Sequence, residues 1–324
     1  MPGRDAVIRE LREGTSVTGS ISPELLLASL MVASTPILLA ALGELVAERA
    51  GVLNLGVEGM MITGAVTGFI AAASTGSPWP GFAAALAGGA ALALVFGALT
   101  QGLMSNQVAT GLALTLFGLG LASLLGQGWV GIKGPGLPRM DFGPLSDLPF
   151  LGRALLRHDP VVYGGLLLTG AIWFFLHRTR AGLVLRAVGE SAEAAHALGY
   201  PVRLVRLSAI AFGGACAGLG GAYLSIVRVP QWADGLTAGA GWIALAIVVF
   251  ASWRPGRVLA GAWLFGGITV LQLNLQAAGA AVPVELLSAS PYLVTVLVLV
   301  LISRRRARGG DAPADLGKPF HASA

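Results

Sequence analysis

Residues 51–61 read GVLNLGVEGMM, which sets a carboxylate, Glu58, and a carboxamide, Asn54, in an otherwise aliphatic run. A carboxylate in that setting could do three kinds of work. It could sit at a membrane face, solvated or paired with Arg49, close to Glu44 and Glu48. It could accept backbone N–H bonds where a helix is interrupted. It could face a solute pathway and bind what passes. The sequence leaves all three open, and Asn54 shares the ambiguity. Asn106 and Gln107 open another apolar run, where a place at the membrane face accounts for them. Gln272, Asn274 and Gln276 lie near the end of a third, and Gln272 and Gln276, four apart, share a helix face. They could bond neighbouring helices or line a vestibule. Enzymatic constellations are missing. Gly317-Lys318 is followed by Pro319, so there is no P-loop. His158, His177, His196 and His321 are scattered without an HExxH, and Ser191 in GESAE lacks the second glycine of a nucleophile elbow. Cys216 is the one cysteine, which excludes an internal disulfide framework and a cysteine-based metal site. No catalytic residue, metal or bound cofactor is expected of this chain.

The elements that must position these groups are apolar and long. The 324 residues are 55% hydrophobic and 11% charged, against about 25% charged in soluble domains. Apolar stretches near spanning length fall at roughly 24–43, 55–73, 82–104, 107–128, 160–177, 207–227, 238–252, 258–277 and 287–303. The expected fold is therefore an all-α integral membrane protein, a polytopic bundle of about eight to nine transmembrane helices. The 238–252 stretch is short enough to be partly re-entrant. Residues 1–22 form an N-terminal segment, 23–303 the membrane domain, and 304–324 a tail whose part from 309 on reads as disordered. Gly64/Gly68 and Gly214/Gly218 make two GxxxG pairs, read as close helix contacts. Trp129, Trp232 and Trp242 fall near predicted boundaries and read as belt residues.

Arginine gives the orientation. Residues 178–206 carry Arg178, Arg180, Arg186, Arg203 and Arg206, the break WRPGR carries Arg254 and Arg257, and the tail carries Arg304, Arg305, Arg306 and Arg308. Counting spans puts all three on one side, and by the positive-inside rule that side is the cytoplasm, with the C-terminus. The same count puts 44–56 and 105–107 inside, with the N-terminus and the Pro/Gly-rich loop 129–159 outside. The charge of +5 is thus read as topology, not as a nucleic-acid footprint. In the outer loop Lys133, Arg139, Arg153 and Arg157 outnumber Asp141, Asp147 and Asp159. Arg139 and Arg153 are the candidates for docking a partner of opposite charge. In the inner loop, Ser191–Leu198 can form a short helix, with Ser191 as cap, Gly199 as stop and Pro201 beyond it.

Glu193-Ala194-Ala195, three residues, then Gly199 resembles the EAA-x3-G loop of ABC-transporter permeases. The wider run from Arg186 through Gly221 resembles the branched-chain amino acid, simple sugar and nucleoside permeases of that superfamily. GVLNLGVEGMM at 51–61 and NQVATGLALTL at 106–116 resemble two further signatures of the group, in the expected order. The entry STPILLAALGELVAERAG is most similar to the shorter permease of nucleoside-type importers. The resemblance implies an importer subunit in the cell (inner) membrane. Its partners would be two ATP-binding cassette ATPase subunits, a second permease in a heterodimer and an extracytoplasmic substrate-binding protein. ATP and magnesium would act in the ATPase. It implies a cytoplasmic coupling helix in which Glu193, Ala194, Ala195 and Gly199 touch the ATPase, with Glu190, Arg186 and Arg203 at its rim. Asn54, Glu58, Asn106, Gln107, Gln272 and Asn274, as polar groups in or beside the apolar runs, are the candidates for the translocation path, and the resemblance does not choose among their roles. Nucleosides are the first-choice cargo, followed by simple sugars and branched-chain amino acids. A stand-alone secondary carrier is the rival from another class, but it would need inverted repeats and paired intramembrane charges.

Overall fold

A computed structural model of the chain describes residues 23–278, residues 283, 286, 289–290, 293–294, 296–297 and 300, and residues 312–321, with Asp147, Leu151 and Arg153 described by their backbone alone. The segment 1–22, much of the 287–303 stretch and the arginines at 304–308 lie outside the described residues. Where described, the chain is helical, with two isolated bridges and no strand. In order the helices are α1 Pro23–Arg49, α2 Val57–Thr75, α3 Pro78–Gly97 with a π turn Ala98–Gly102, and α4 Gln107–Gly126. Next come α5 Leu151–Leu155, α6 Pro160–Arg178, α7 Arg180–Glu190 and α8 Ala192–Ala197. The last are α9 Val202–Ala222 with a π segment Tyr223–Arg228, α10 Ala240–Phe250 and α11 Pro255–Ala277. Seven of them (α1, α2, α3, α4, α6, α9 and α11) are long and apolar enough to cross a membrane. The eight or nine spans read from hydropathy differ from this at two places: 238–252 yields only the eleven-residue α10, and 287–303 is described only in part.

Helix starts follow local chemistry. Pro78, Pro160 and Pro255 open α3, α6 and α11, where a missing N–H costs nothing. Asp159 caps α6 by accepting from the amides of Val161 and Val162 at 3.0 and 3.1 Å. Packing then follows glycine. Lipid supplies no hydrophobic drive between helices, so they gain by bringing backbones close. A Cβ on Gly64 would overlap Gly218, and one on Gly214 would stand 2.5 Å from the Gly89 carbonyl. Both GxxxG pairs therefore act at the crossing of α2, α3 and α9. Gly59 and Gly118 bring α2 against α4, and Gly43 and Gly213 bring α1 against α9.

The bundle has two distinct ends. At one, Arg206 Nε donates to the Ala50 carbonyl (3.2 Å), the Leu53 amide donates to Gln107 Oε1 (2.8 Å), and Arg49 donates to the Trp253 carbonyl through Nε and Nη2 (3.2 and 3.1 Å). These bonds gather 44–56, 105–107, 178–206 and the WRPGR break, the same segments that span counting places together. At the other end the Gly134 amide donates to the Pro230 carbonyl (2.8 Å), and Lys133 bridges Gln231.

Candidate functional site

Between α1 and α2 the chain leaves the helical path for residues 50–56. Gly51, at φ +86°, makes the turn, and residues 52–54 run without helical bonding. Irregular backbone at membrane depth needs partners, since lipid offers none. The sequence supplies them as buried side chains. Glu44 Oε1 accepts from the Asn54 amide (3.2 Å), and Gln107 Oε1 accepts from the Leu53 amide (2.8 Å). Asn54 Oδ1 accepts from the Gly56 amide (2.9 Å), an Asx turn that starts α2. The Thr115 hydroxyl donates to the Leu55 carbonyl (3.0 Å). Asn54, Glu44 and Gln107 are 1%, 1% and 4% exposed. The partners along α4 advance from Gln107 to Thr115 as the chain advances from Leu53 to Leu55, so the unwound segment climbs beside α4 before α2 begins.

Glu58, one residue into α2, closes this arrangement. Its carboxylate accepts from the Thr237 hydroxyl (2.5 Å) and the Gly239 amide (2.9 Å) through Oε1, and from the Gly241 amide (2.7 Å) through Oε2. The two amides belong to the N-terminus of α10, where helix dipole and free N–H groups favour negative charge. Among the described residues no arginine is bonded to Glu58; Arg49 bonds the Trp253 carbonyl, which corrects the pairing entertained from sequence. The eleven residues of α10 rise about 16 Å. Its far end turns into Ser252 and Trp253, and the Trp253 indole N–H donates to Glu48 Oε2. Glu58 and Glu48 therefore hold the two ends of a helix about half as long as the roughly 30 Å hydrocarbon thickness. Sequence reasoning put Glu44 and Glu48 at the membrane face. Both are buried inside the protein, at 1% and 0% exposed, and belong to the same constellation. Their spacing of four residues, one above the other on α1, was the available signal.

At the arginine-rich end α8 packs beside Val202, the first residue of α9. Ser191 caps it, its Oγ accepting from the Ala194 amide at 3.2 Å. Gly199, at φ +85°, ends it in a Schellman motif: the Gly199 amide bonds the His196 carbonyl (2.8 Å) and the Tyr200 amide bonds the Ala195 carbonyl (3.1 Å). Glu190, Glu193, Ala194 and Gly199 are exposed. Ala195 is not: at 2% exposure it faces inward with Ala192 against Val188, Val202 and Phe320. That corrects its assignment to an outward contact. Leu198, overlooked from sequence, is 76% exposed at the helix end; an aliphatic residue at the tip of a polar loop was its signal. Phe320 brings a second correction. The tail from 309 on reads as disordered, yet residues 312–321 pack against this loop, with Phe320 buried.

The opposite end brings Arg139 and Asn274 together on a cavity of about 550 Å³, with Arg157, His158 and Arg228. Asn274 Nδ2 donates to the Val270 carbonyl (2.8 Å), within its own helix. Gln272 is half-buried on the same helix and Asn106 is exposed, its Oδ1 accepting from the Ala109 amide (2.9 Å). Arg153 lies in α5, its side chain outside the described residues. Asp159, counted from sequence among loop charges, is buried and accepts from the Tyr223 hydroxyl (2.8 Å). Trp232 departs from the belt reading: it is 2% exposed, packed against Gly126 and among Ile62, Val66 and Phe69. Among the described residues no cluster of three or more His, Cys, Asp or Glu could hold a metal ion.

Comparison with known proteins covers nearly the whole structure. A family model described as the branched-chain amino acid transport system / permease component matches residues 26–303. A putative glucose ABC transporter permease protein of Haloferax volcanii is 45% identical over 296 residues, covering 85% of this chain and 90% of the relative. A nucleoside ABC transporter permease protein of Lactococcus lactis is 29% identical over 293 residues, covering 86% and 92%. A guanosine ABC transporter permease protein of Bacillus subtilis is 31% identical over 214 residues, covering 61% and 66%. No solved structure matches.

Proposed function

From the premise that the chain belongs to the branched-chain amino acid transport system / permease component family, as a permease subunit of an ABC importer, we propose that it moves a simple sugar of the glucose type inward across the cell membrane. The observation that carries the cargo is the 45% identity to a permease named for glucose, over 90% of that relative. Nucleosides, the first choice from sequence motifs alone, are the second reading, favoured by two more distant relatives. The proposed working unit adds a second permease, two ATP-binding cassette ATPases and a binding protein outside. The arginine-rich end is the cytoplasmic one in this reading, which its excess of Arg supports. There the exposed edge of α8, with Glu193, Ala194, Leu198 and Gly199, enters the ATPase, and ATP-driven closure rocks it. Hydrolysis occurs in the ATPase, so this subunit carries no catalytic residue.

The test is uptake by proteoliposomes holding the assembly, with binding protein on one face and ATP on the other. Labelled glucose should accumulate only with ATP, and unlabelled hexose should compete at least tenfold better than guanosine. Uptake of guanosine with no competition from hexose would move the assignment to nucleosides.

A further inference from the structure

Residues 312–321, APADLGKPFH, hold α8 from behind. They form a tight turn in which the Lys318 amide bonds the Asp315 carbonyl (3.1 Å) and Lys318 Nζ pairs with Asp315 Oδ1 (3.2 Å), with Gly317 at φ +77°. Four hydrogen bonds and one aromatic contact radiate from it. The Asp315 amide donates to the Gly189 carbonyl (3.0 Å), and Asp315 Oδ2 accepts from the Ala192 amide (2.8 Å), at the first residue of α8. The Gly317 amide donates to the Gly51 carbonyl (3.1 Å). Arg206, wholly buried, donates through Nη1 to the Lys318 carbonyl (2.9 Å) while its Nε holds Ala50. Phe320, 6% exposed, fills the space behind the small residues Ala192 and Ala195 and meets the His196 ring edge-on at 5.3 Å.

The arrangement has a direction. A helix of six residues is too short to be stable alone, and its inward alanines offer little to pack. The tail supplies the missing layer. The same ten residues also hold Gly51 and, through Arg206, Ala50, which open the non-helical segment that runs to Gly56, two residues before Glu58. Gly51 lies at φ +86°, which favours glycine, and a Cβ there would crowd Arg206 Nη2 at 3.0 Å and the Asp315 carbonyl oxygen at 3.3 Å. We infer that residues 312–321 are a strap that locks α8 to the α1–α2 turn, so that movement of the coupling helix is delivered to the interrupted helix at Glu58. Asp315 and Phe320 are positioning residues in this role. The inference rests on the importer reading for its consequence but not for its geometry.

Hydrogen–deuterium exchange on the purified full-length chain, compared with a chain ended after residue 311, tests the geometry. The strap predicts that amides of Ala192–Ala197 and of residues 50–54 lose protection together, by at least tenfold. Unchanged protection at 50–54 would overturn it. Consequence is read in the reconstituted assembly as ATP hydrolysed per solute moved. Asp315→Ala and Phe320→Ala should raise that ratio at least fivefold, while Asp315→Asn and Phe320→Leu, which keep the acceptor and the bulk, stay within twofold of wild type. A wild-type ratio in the alanine variants would also overturn the strap. Absence of ATP-dependent uptake in the wild-type assembly would count against the importer reading and leave the exchange result to decide the strap.

Discussion

At Glu58 one carboxylate satisfies a hydroxyl and two amides, so the side chain can be tested as an anchor. An unmet buried donor costs about 1–3 kcal/mol. Glu58→Ala leaves the Gly239 and Gly241 amides without their acceptor and should lower stability in detergent by about 2–5 kcal/mol, read as a fall in Tm. Glu58→Gln keeps one acceptor and turns a donor toward an N–H, and should lose about half as much. In uptake assays an anchor shifts kcat at unchanged KM, whereas a solute-binding carboxylate shifts KM first. A stable Glu58→Ala with a raised KM would contradict anchoring. The residue's type and its apolar setting were readable in the sequence, but its partners were not. Thr237, Gly239 and Gly241 lie some 180 positions away in a stretch whose only visible feature was its shortness.

At the scale of elements, α8 was legible because its signals are local: Ser191 before it, Gly199 after it, Pro201 beyond. Which of its faces points outward was not legible, since six residues of mostly alanine carry no periodicity to read. The exposed edge predicts that Leu198→Asp and Glu193→Lys abolish recovery of the ATPase with the permease while changing the chain's own stability by less than about 0.5 kcal/mol, as surface substitutions do. Pull-down and thermal melts on the same preparations check both halves. Retention of the ATPase by both variants would remove α8 from the contact. The shortness of 238–252 already allowed a partly re-entrant element, and α10 is eleven residues long; what hydropathy could not show is that its two ends meet Glu58 and Glu48. The packed tail was hidden too, because its turn, its aspartate and its one aromatic residue gain order only from the loop they meet.

For the whole molecule, the order of apolar runs, the gathering of the arginine-bearing breaks at one end and the use of both GxxxG pairs were all written in the sequence, since each rests on solvent preference or backbone approach alone. Buried Glu44, Glu48 and Arg206 were not, because a charge count cannot distinguish a face in water from unwound backbone that needs partners. Together these parts make one subunit of an ATP-driven importer. The most direct test is gentle purification of the tagged chain from its own membrane, followed by mass spectrometry of what accompanies it. The expected result is a P-loop ATPase and a second permease in fixed ratio to the chain, with the ATPase alone lost in Leu198→Asp. A chain that comes alone, from cells in which Glu193→Lys still transports, would contradict it.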